Sequence, residues 1–289
     1  MPSVTRILVP VDFSKPSAAA ARYAQALARK VKGELILLHV LAVPQFSYLP
    51  ITVTEDRIDE LTTGRSRQAH EALLQFVTGD AGVPVKRFVA TGDPTVEILQ
   101  HSASEEVDLI VMPTHGFDPV RRFLLGSVAL KVLHGAEVPV LTGVNFEAYG
   151  AEIFPPGYIV CGIDLGPGSE RVLEWAAEVA RKLGAPLTVV HAIPDIEGIV
   201  GDLSNPNWRL TLENRIRTRI AGLLEAANAK AEILVVTGDP HNALGETASR
   251  LKAGLVVIGR GATAEGPFGR LRAHAYAIVR ASPCPVLSV

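Results

Sequence analysis

The sequence is poor in the features that mark several protein classes. Cys161 and Cys284 are its only cysteines in 289 residues, and their positions fit no metal-ligand spacing. Aromatic residues make up 6% of the chain and the formal net charge is −2, so neither a base-stacking surface nor a basic nucleic-acid face is indicated. We therefore expect reduced, partly buried thiols and no nucleic-acid partner.

Long hydrophobic runs are also missing. The longest strongly apolar run, from Leu35 to Pro44, contains His39 and is far shorter than the roughly 20 residues of a membrane-spanning helix. The first 30 residues carry charges, among them Asp12 and Arg22, where a signal peptide would have its apolar segment. These features predict a chain without membrane contact, located in the cytoplasm.

The common catalytic motifs do not occur. There is no G-x4-G-K-[ST] loop, no G-x-S-x-G elbow and no H-E-x-x-H pair. Because the sequence shows no positioned nucleophile or general base, we predict a binding protein that catalyses at most slow hydrolysis.

What the chain does contain is an internal repeat. Residues 6–40 return without a gap as residues 158–192, so that Asp12 corresponds to Asp164 and His39 to His191. Later segments return at an offset of 146: Val138-Pro139-Val140 reappears as Cys284-Pro285-Val286. Two full-length copies predict two tandem domains. We place them at residues 1–145 and 154–289, divided by the Gly- and Pro-containing segment 145–156.

Each copy alternates short apolar runs with segments whose apolar residues follow helical spacing, in the order β-α-β-α-β-α-β-α-β. Alternating strands and helices favour a parallel sheet covered on both faces. The pattern therefore predicts an α/β fold of two tandem, doubly wound, parallel five-stranded sheets. We expect Gly33 to end the first helix, and the fourth helix to begin at Leu124. Residues 44–54 and 194–206 fit either functional lids or solvated connections.

Ligands of such sheets bind outside the carboxyl ends of the strands, where the strand order reverses. The relevant ends are Pro10-Val11-Asp12, His39-Val40 and the segment from Met112 to Gly116. Gly116 permits close backbone approach, and Gly126-Ser127 stands near the start of the fourth helix. The amino end of a helix favours phosphate, so this segment is the candidate anion site.

These residues resemble the universal stress protein family over nearly the whole chain, as a tandem of two such domains. The family's nucleotide motif is G-x2-G-x9-G-[ST], and Gly116 with Gly126-Ser127 matches its last elements. Pro113 stands at the first glycine and has no N–H to donate. The resemblance implies a Rossmann-like fold similar to adenine nucleotide alpha hydrolases, and bound ATP with Mg²⁺. It implies these ligand-binding residues: Pro10, Val11, Asp12, Val40, Met112, Thr114, His115, Gly116, Gly126, Ser127 and Val128.

In the second copy the same motif is altered. Ala262 stands at the middle glycine, and Arg272-Ala273 replaces Gly126-Ser127. The second copy is therefore interpreted as a degenerate nucleotide site, although Arg270 and Arg272 could instead hold another anion by their charge.

Several polar residues have a structural interpretation beside a functional one. His39 and His191 are interpreted as hydrogen-bonded structural histidines, and Asp93 and Asp239 as helix caps. Asp12 fits either a functional carboxylate or a local turn. Arg121 and Arg122 could reach phosphates, but a solvated surface is favoured.

Three functions follow as hypotheses. The first is a nucleotide-responsive stress module with ATP in the first domain, and the second is a scaffold of the same fold that binds no nucleotide. The third is a slow ATP hydrolase using Asp12 or His115. The resemblance also implies pairing through final strands, which the tandem could form within one chain as a pseudo-dimer, and it allows a homodimer of two chains.

Overall fold

The computed structural model describes residues 4–42, 55–76, 82–116, 125–143, 146, 156–193, 208–260 and 273–289. We call the described residues up to 146 the first half, and those from 156 the second half. The segments 44–54 and 194–206, for which lids and solvated connections were both left open, lie outside the described residues. So do the segments 117–124 and 261–272 with their arginines.

The described residues form ten strands and eight helices in two repeats of one order. In the first half they are β1 (Arg6–Pro10), α1 (Lys15–Val31), β2 (Glu34–Leu41), α2 (Glu55–Phe76), β3 (Val85–Thr91), α3 (Pro94–Ser104), β4 (Leu109–Pro113), α4 (Ser127–Gly135) and β5 (Val140–Gly143). In the second half they are β6 (Ile159–Gly162), α5 (Ser169–Leu183), β7 (Leu187–Ile193), α6 (Trp208–Ala226), β8 (Glu232–Thr237), α7 (Pro240–Arg250), β9 (Leu255–Ile258), α8 (Ala273–Ala281) and β10 (Val286–Ser288).

All ten strands belong to one sheet, in the order β3-β2-β1-β4-β5-β10-β9-β6-β7-β8. The pairs within each half are parallel, and β5 and β10 are antiparallel, with Leu141 opposite Leu287. The predicted α/β fold is confirmed, and the final strands join the two five-stranded arrays as the pseudo-dimer prediction required.

The sheet carries a hydrophobic core on each face, because the central strands have apolar side chains on both sides. In β1, Ile7 and Val9 pack on one face with Tyr23 of α1, while Leu8 packs on the other with Val132 of α4. These side chains are at most 3% exposed, as expected for parallel strands with helices on both sides.

Helix α1 shows how local sequence sets an element. Ser14 caps its amino end by accepting from the Ser17 amide, and a run of alanines faces the core. Its carboxyl end corrects the prediction, since Lys32, not Gly33, adopts the left-handed conformation at φ 57° and caps the helix. Gly33 serves strand packing, because an added Cβ would lie 2.5 Å from the Thr5 carbonyl oxygen.

Candidate functional site

The two strands that flank the reversal of strand order in the first half are β1 and β4, which pair directly. Asp12 follows β1, and Thr114, His115 and Gly116 follow β4. The fold therefore brings together the two sequence segments that carry most of the predicted site residues.

A short turn fixes Asp12. Its Oδ1 accepts from the Ser14 amide at 3.0 Å and from the Ser14 hydroxyl at 2.5 Å. Phe13 between them has φ 63°, a conformation uncommon for a residue with a Cβ. The local-turn interpretation of Asp12 is thus confirmed. Ser14 takes part in both the turn and the cap of α1, and the sequence analysis missed it. The pattern Asp-x-Ser directly before Lys15-Pro16 could have indicated a helix cap at Ser14.

Gly116, which follows β4, lies next to the carboxylate of Asp12, which follows β1. A Cβ on Gly116 would overlap the Asp12 Oδ2 atom. The absence of a side chain at position 116 therefore permits the chain after β4 to approach the carboxylate that follows β1.

Gly126 attaches the amino end of α4 to the end of β4. Its amide donates to the Thr114 carbonyl oxygen at 2.7 Å, and its own carbonyl accepts from the Leu130 amide at 2.9 Å. A Cβ at this position would lie 3.2 Å from the Thr114 oxygen. Helix α4 begins at Ser127, three residues later than Leu124, because Gly126 is extended at φ −62° and ψ 150°.

No side chain of the described residues caps α4 at its amino end. Ser127 is exposed there and Val128 is half-buried. The first amides of a helix have no partner within the helix and carry a partial positive charge. This end of α4 thus offers backbone donors to an anion.

The remaining predicted residues divide into two groups. Val40, His115 and Pro10 are half-buried at strand ends, whereas the Val11 and Met112 side chains are buried in the two opposite cores. Val11 and Met112 could therefore contact a ligand only through their backbone atoms. Thr114 is 2% exposed, and its hydroxyl is 3.1 Å from His115 Nδ1.

The histidines at the ends of β2 and β7 have the same structural role in each half. His39 Nδ1–H donates to the Val11 carbonyl at 2.7 Å, and His191 Nδ1–H to the Ile163 carbonyl at 2.9 Å. The structural interpretation is confirmed for both. The caps are confirmed as well: Asp93 accepts from the Thr95 and Val96 amides, and Asp239 from the His241 amide.

The second half has a cavity of about 860 Å³ at the equivalent place, outside β6, β7 and β9. Its polar lining includes Asp164, Ser169, His191 and Arg260. Its apolar lining includes Val172, Val190, Leu244, Ile258 and Ile278.

Arg260 is the residue that the sequence analysis missed most completely. It follows β9 where Thr114 follows β4, yet its side chain crosses to the first half. Its guanidinium donates to the carbonyls of Ala136 at 2.6 Å, Val138 at 3.1 Å and Leu133 at 3.3 Å. Arg260 is 4% exposed, and its charge lies at the carboxyl end of α4, which the helix dipole makes favourable for a cation.

The described residues contain no group of three or more His, Cys, Asp or Glu side chains able to hold a metal ion. No described helix combines the length and the apolar character that crossing a bilayer requires. Cys161 and Cys284 are both buried and free, and burial raises the pKa of each thiol to about 12, which keeps them unreactive.

Comparisons with known proteins identify the family of the chain. The model of the universal stress protein family matches residues 3–142 and again residues 157–289. A universal stress protein of Methanocaldococcus jannaschii is 32% identical over 136 residues, which is 47% of this chain and 79% of that protein. One from Mycolicibacterium smegmatis is 28% identical over 266 residues, covering 88% of this chain and 86% of its own.

The solved structures include a full-length match. The crystal structure of a universal stress protein from Archaeoglobus fulgidus superposes with a TM-score of 0.69 at 26% identity, covering 98% of this chain and 95% of that chain. With the family model matching both copies of the repeat, the chain belongs to the universal stress protein family.

Proposed function

We propose that the chain is a nucleotide-binding stress-response module that holds ATP, with Mg²⁺, in its first half. The observation that carries the proposal is the amino end of α4, where Gly126 is bonded to the Thr114 carbonyl and Gly116 lies against Asp12. The first amides of α4, which no described side chain caps, and two positions without Cβ fit a phosphate chain. We assign the ribose and the phosphates to the segment with Gly116, Gly126, Ser127 and Val128, with the ribose beside Gly116 and the phosphates at the amino end of α4, and with Thr114 and His115 beside them.

The part of the site at Asp12, next to Gly116, suits the uncharged part of the nucleotide. Asp12 supplies carboxylate oxygens, which accept from N–H and O–H donors and repel phosphate. To this uncharged part we also assign Val40, Pro10 and the backbone of Val11 and Met112. Mg²⁺ keeps much of its water and is commonly held by the phosphates of its nucleotide, so in this proposal the bound ATP itself would hold the ion.

Calorimetry with ATP on the wild type, Gly126→Arg and Gly64→Arg tests the proposal. Gly126→Arg places a side chain against the Thr114 carbonyl, and we expect its ATP affinity to fall by about 10- to 100-fold, the effect of losing a charge-assisted hydrogen bond. Gly64 is on α2 with nothing within 4 Å of an added Cβ, so Gly64→Arg adds the same charge and should keep the wild-type affinity. Equal heats for the wild type and Gly126→Arg would contradict the proposal.

A scaffold function without nucleotide is the second candidate, because Pro113 at the end of β4 has no N–H to offer a phosphate. Mass spectrometry of the ligand released from the acid-denatured, freshly purified protein separates the two. Adenine nucleotide in the extract supports the first proposal and opposes the scaffold. The domain bounds 1–145 and 154–289, the cytoplasmic location and the homodimer stay predictions.

A further inference from the structure

Helix α4 is held at its two ends by different halves of the molecule. At the amino end, the Gly126 amide donates to the Thr114 carbonyl of the same half at 2.7 Å. At the carboxyl end, the Arg260 guanidinium of the second half donates to three backbone carbonyls. The helix whose first amides are assigned to the phosphates is therefore fixed in part by a residue that does not belong to the first half.

The corresponding helix of the second half, α8, ends in a different way. Ser282, which stands where the first half has Ala136, donates its hydroxyl to the Cys284 carbonyl at 2.7 Å. Thr114, the counterpart of Arg260, has a short, buried side chain that contacts the next residue of its own half. Of these two helix ends, the structure describes a side chain from the other half only at α4. The support is thus given by the second half to the first.

The surroundings of Arg260 fix its position closely. Its amide donates to the Val289 carbonyl at 3.1 Å, directly after β10, so its backbone is attached to the joined sheet. Its side chain is almost completely buried, and a buried cation is costly unless hydrogen-bond acceptors surround it. The carbonyls at the carboxyl end of a helix carry a partial negative charge and supply such acceptors. The guanidinium and the end of α4 therefore hold each other in place.

The length of α4 determines how Arg260 can affect a ligand at the other end. The helix has nine residues, which at about 1.5 Å per residue span about 14 Å. Salt weakens a direct attraction between Arg260 and a phosphate over that distance, because the Debye length is about 8 Å at physiological ionic strength. A short helix moves as one body, however, so a shift of its carboxyl end also displaces its first amides. The effect of Arg260 is therefore transmitted by the helix.

We propose that Arg260 is a positioning residue for the nucleotide site of the first half and acts through α4. By holding the carboxyl end of the helix, it sets where the amides of Ser127 and Val128 meet the phosphates. The inference rests on the proposed function for the identity of the ligand. It gives the second half a role in the site of the first half that does not require the second half to bind nucleotide itself.

Calorimetry with ATP and Mg²⁺ on the full chain compares Arg260→Met and Arg260→Lys with the wild type. Methionine fills a similar space without any N–H, whereas lysine keeps the charge and three donors. We expect Arg260→Met to lower ATP affinity about tenfold, within the range usual for coupling between two sites, and Arg260→Lys to recover most of this loss. Wild-type affinity in Arg260→Met, or an equal loss in Arg260→Lys, would overturn the inference.

Ser282→Ala is the matched control for ATP affinity. It removes the hydrogen bond at the equivalent helix end of the second half and introduces the residue that the first half has there. We expect the variant to bind ATP with wild-type affinity. A loss as large as that of Arg260→Met would show that ATP affinity follows general stability and not the position of α4.

Amide hydrogen exchange, measured by NMR without nucleotide, shows where the substitution acts. The Leu130 amide donates to the Gly126 carbonyl in the first turn of α4, and the Ala18 amide makes the same bond to Ser14 in α1, on the opposite face of the sheet. We expect Arg260→Met to accelerate exchange at Leu130 about tenfold more than at Ala18, because local opening is specific to a structural unit. Equal acceleration at both amides would indicate a general loss of stability and contradict a positioning role.

The outcomes separate this inference from the proposed function. A wild type that binds ATP, with Arg260→Met binding it equally well, would overturn the inference and leave the proposed function standing. A wild type that binds no ATP would contradict the proposed function. In that case a selective effect at Leu130 would still support the positioning of α4 by Arg260, and exchange unchanged at Leu130 would overturn it.

Discussion

The two halves differ at one pair of corresponding residues after the fourth strand of each repeat. In the first half the residue is Thr114, whose carbonyl attaches the amino end of α4. In the second half it is Arg260, whose side chain binds the carboxyl end of the same helix. One helix is thus held at its amino end by its own half and at its carboxyl end by the other. The aspartate turn and the histidine bond are repeated in both halves, whereas the link made by Arg260 is not.

Removing the link between the halves should have the largest effect. Arg260→Ala leaves three carbonyls around the end of α4 without their cationic donor and opens a buried space. We expect the free energy of unfolding to fall by about 3 kcal/mol, measured by urea denaturation.

Arg217→Ala is its matched control. Arg217 also donates to a backbone carbonyl, that of Ile233 at 2.7 Å, but it is exposed, so its loss should change the free energy of unfolding by less than about 1 kcal/mol. An equally small effect for Arg260→Ala would show that the link between the halves contributes little to stability.

The second largest effect should come from replacing Gly116 with alanine, the residue at the corresponding position 262 of the second half. This change should weaken ligand binding. Gly116→Ala introduces the Cβ that overlaps the Asp12 carboxylate, so the chain after β4 must move away from the site. We expect ATP affinity to fall about tenfold, or about 1.4 kcal/mol, measured by calorimetry. An unchanged affinity would mean that the approach of Gly116 to Asp12 is not part of the nucleotide site.

Removing the histidine hydrogen bond should lower the free energy of unfolding equally in the two halves. His39→Phe and His191→Phe each remove a donor to a backbone carbonyl, Val11 and Ile163 respectively. We expect each variant to lower the free energy of unfolding by about 1 kcal/mol, measured by urea denaturation. A cost confined to one half would contradict the structural equivalence of the two ends.

The paired caps should give the smallest effect. The Val96 amide lowers the pKa of Asp93, and the His241 amide lowers the pKa of Asp239. A carboxyl whose folded pKa is below its unfolded value stabilises the fold above the unfolded pKa, and this stability is lost as pH falls through the folded pKa. Asp93→Asn and Asp239→Asn should each flatten the decrease in melting temperature on acidification below about pH 4. Wild-type pH dependence in both variants would contradict this origin.

Much of the scaffold was predictable because its signals are local. Asp-Pro at the start of α3 and α7 specifies a cap and a first turn, and both formed as predicted. Apolar runs specified buried strands. The prediction was wrong at the end of α1, where a residue distant in sequence matters. The left-handed residue there is Lys32 and not Gly33, and Gly33 instead lies close to the Thr5 carbonyl.

The candidate site was predictable to a similar extent. The glycines and the Asp12 segment were identified by motif, but the approach of Gly116 to Asp12 was not, because the two residues are far apart in the chain. Arg260 was missed since nothing in its neighbouring sequence indicates which way its side chain points.

The sequence by itself determined a repeated α/β chain with parallel strands and the places where each strand ends, because hydrophobic periodicity and capping act over a few residues. The pairing of the final strands was expected from the family resemblance, but only the tertiary structure showed that this pairing brings the carboxyl end of α4 beside the end of β9. In that arrangement the Arg260 side chain binds the carboxyl end of α4 in the first half, and the Gly126 amide binds the Thr114 carbonyl at the amino end of the same helix. Both contacts join residues that are far apart in the sequence, so strand order determines them and neighbouring sequence does not.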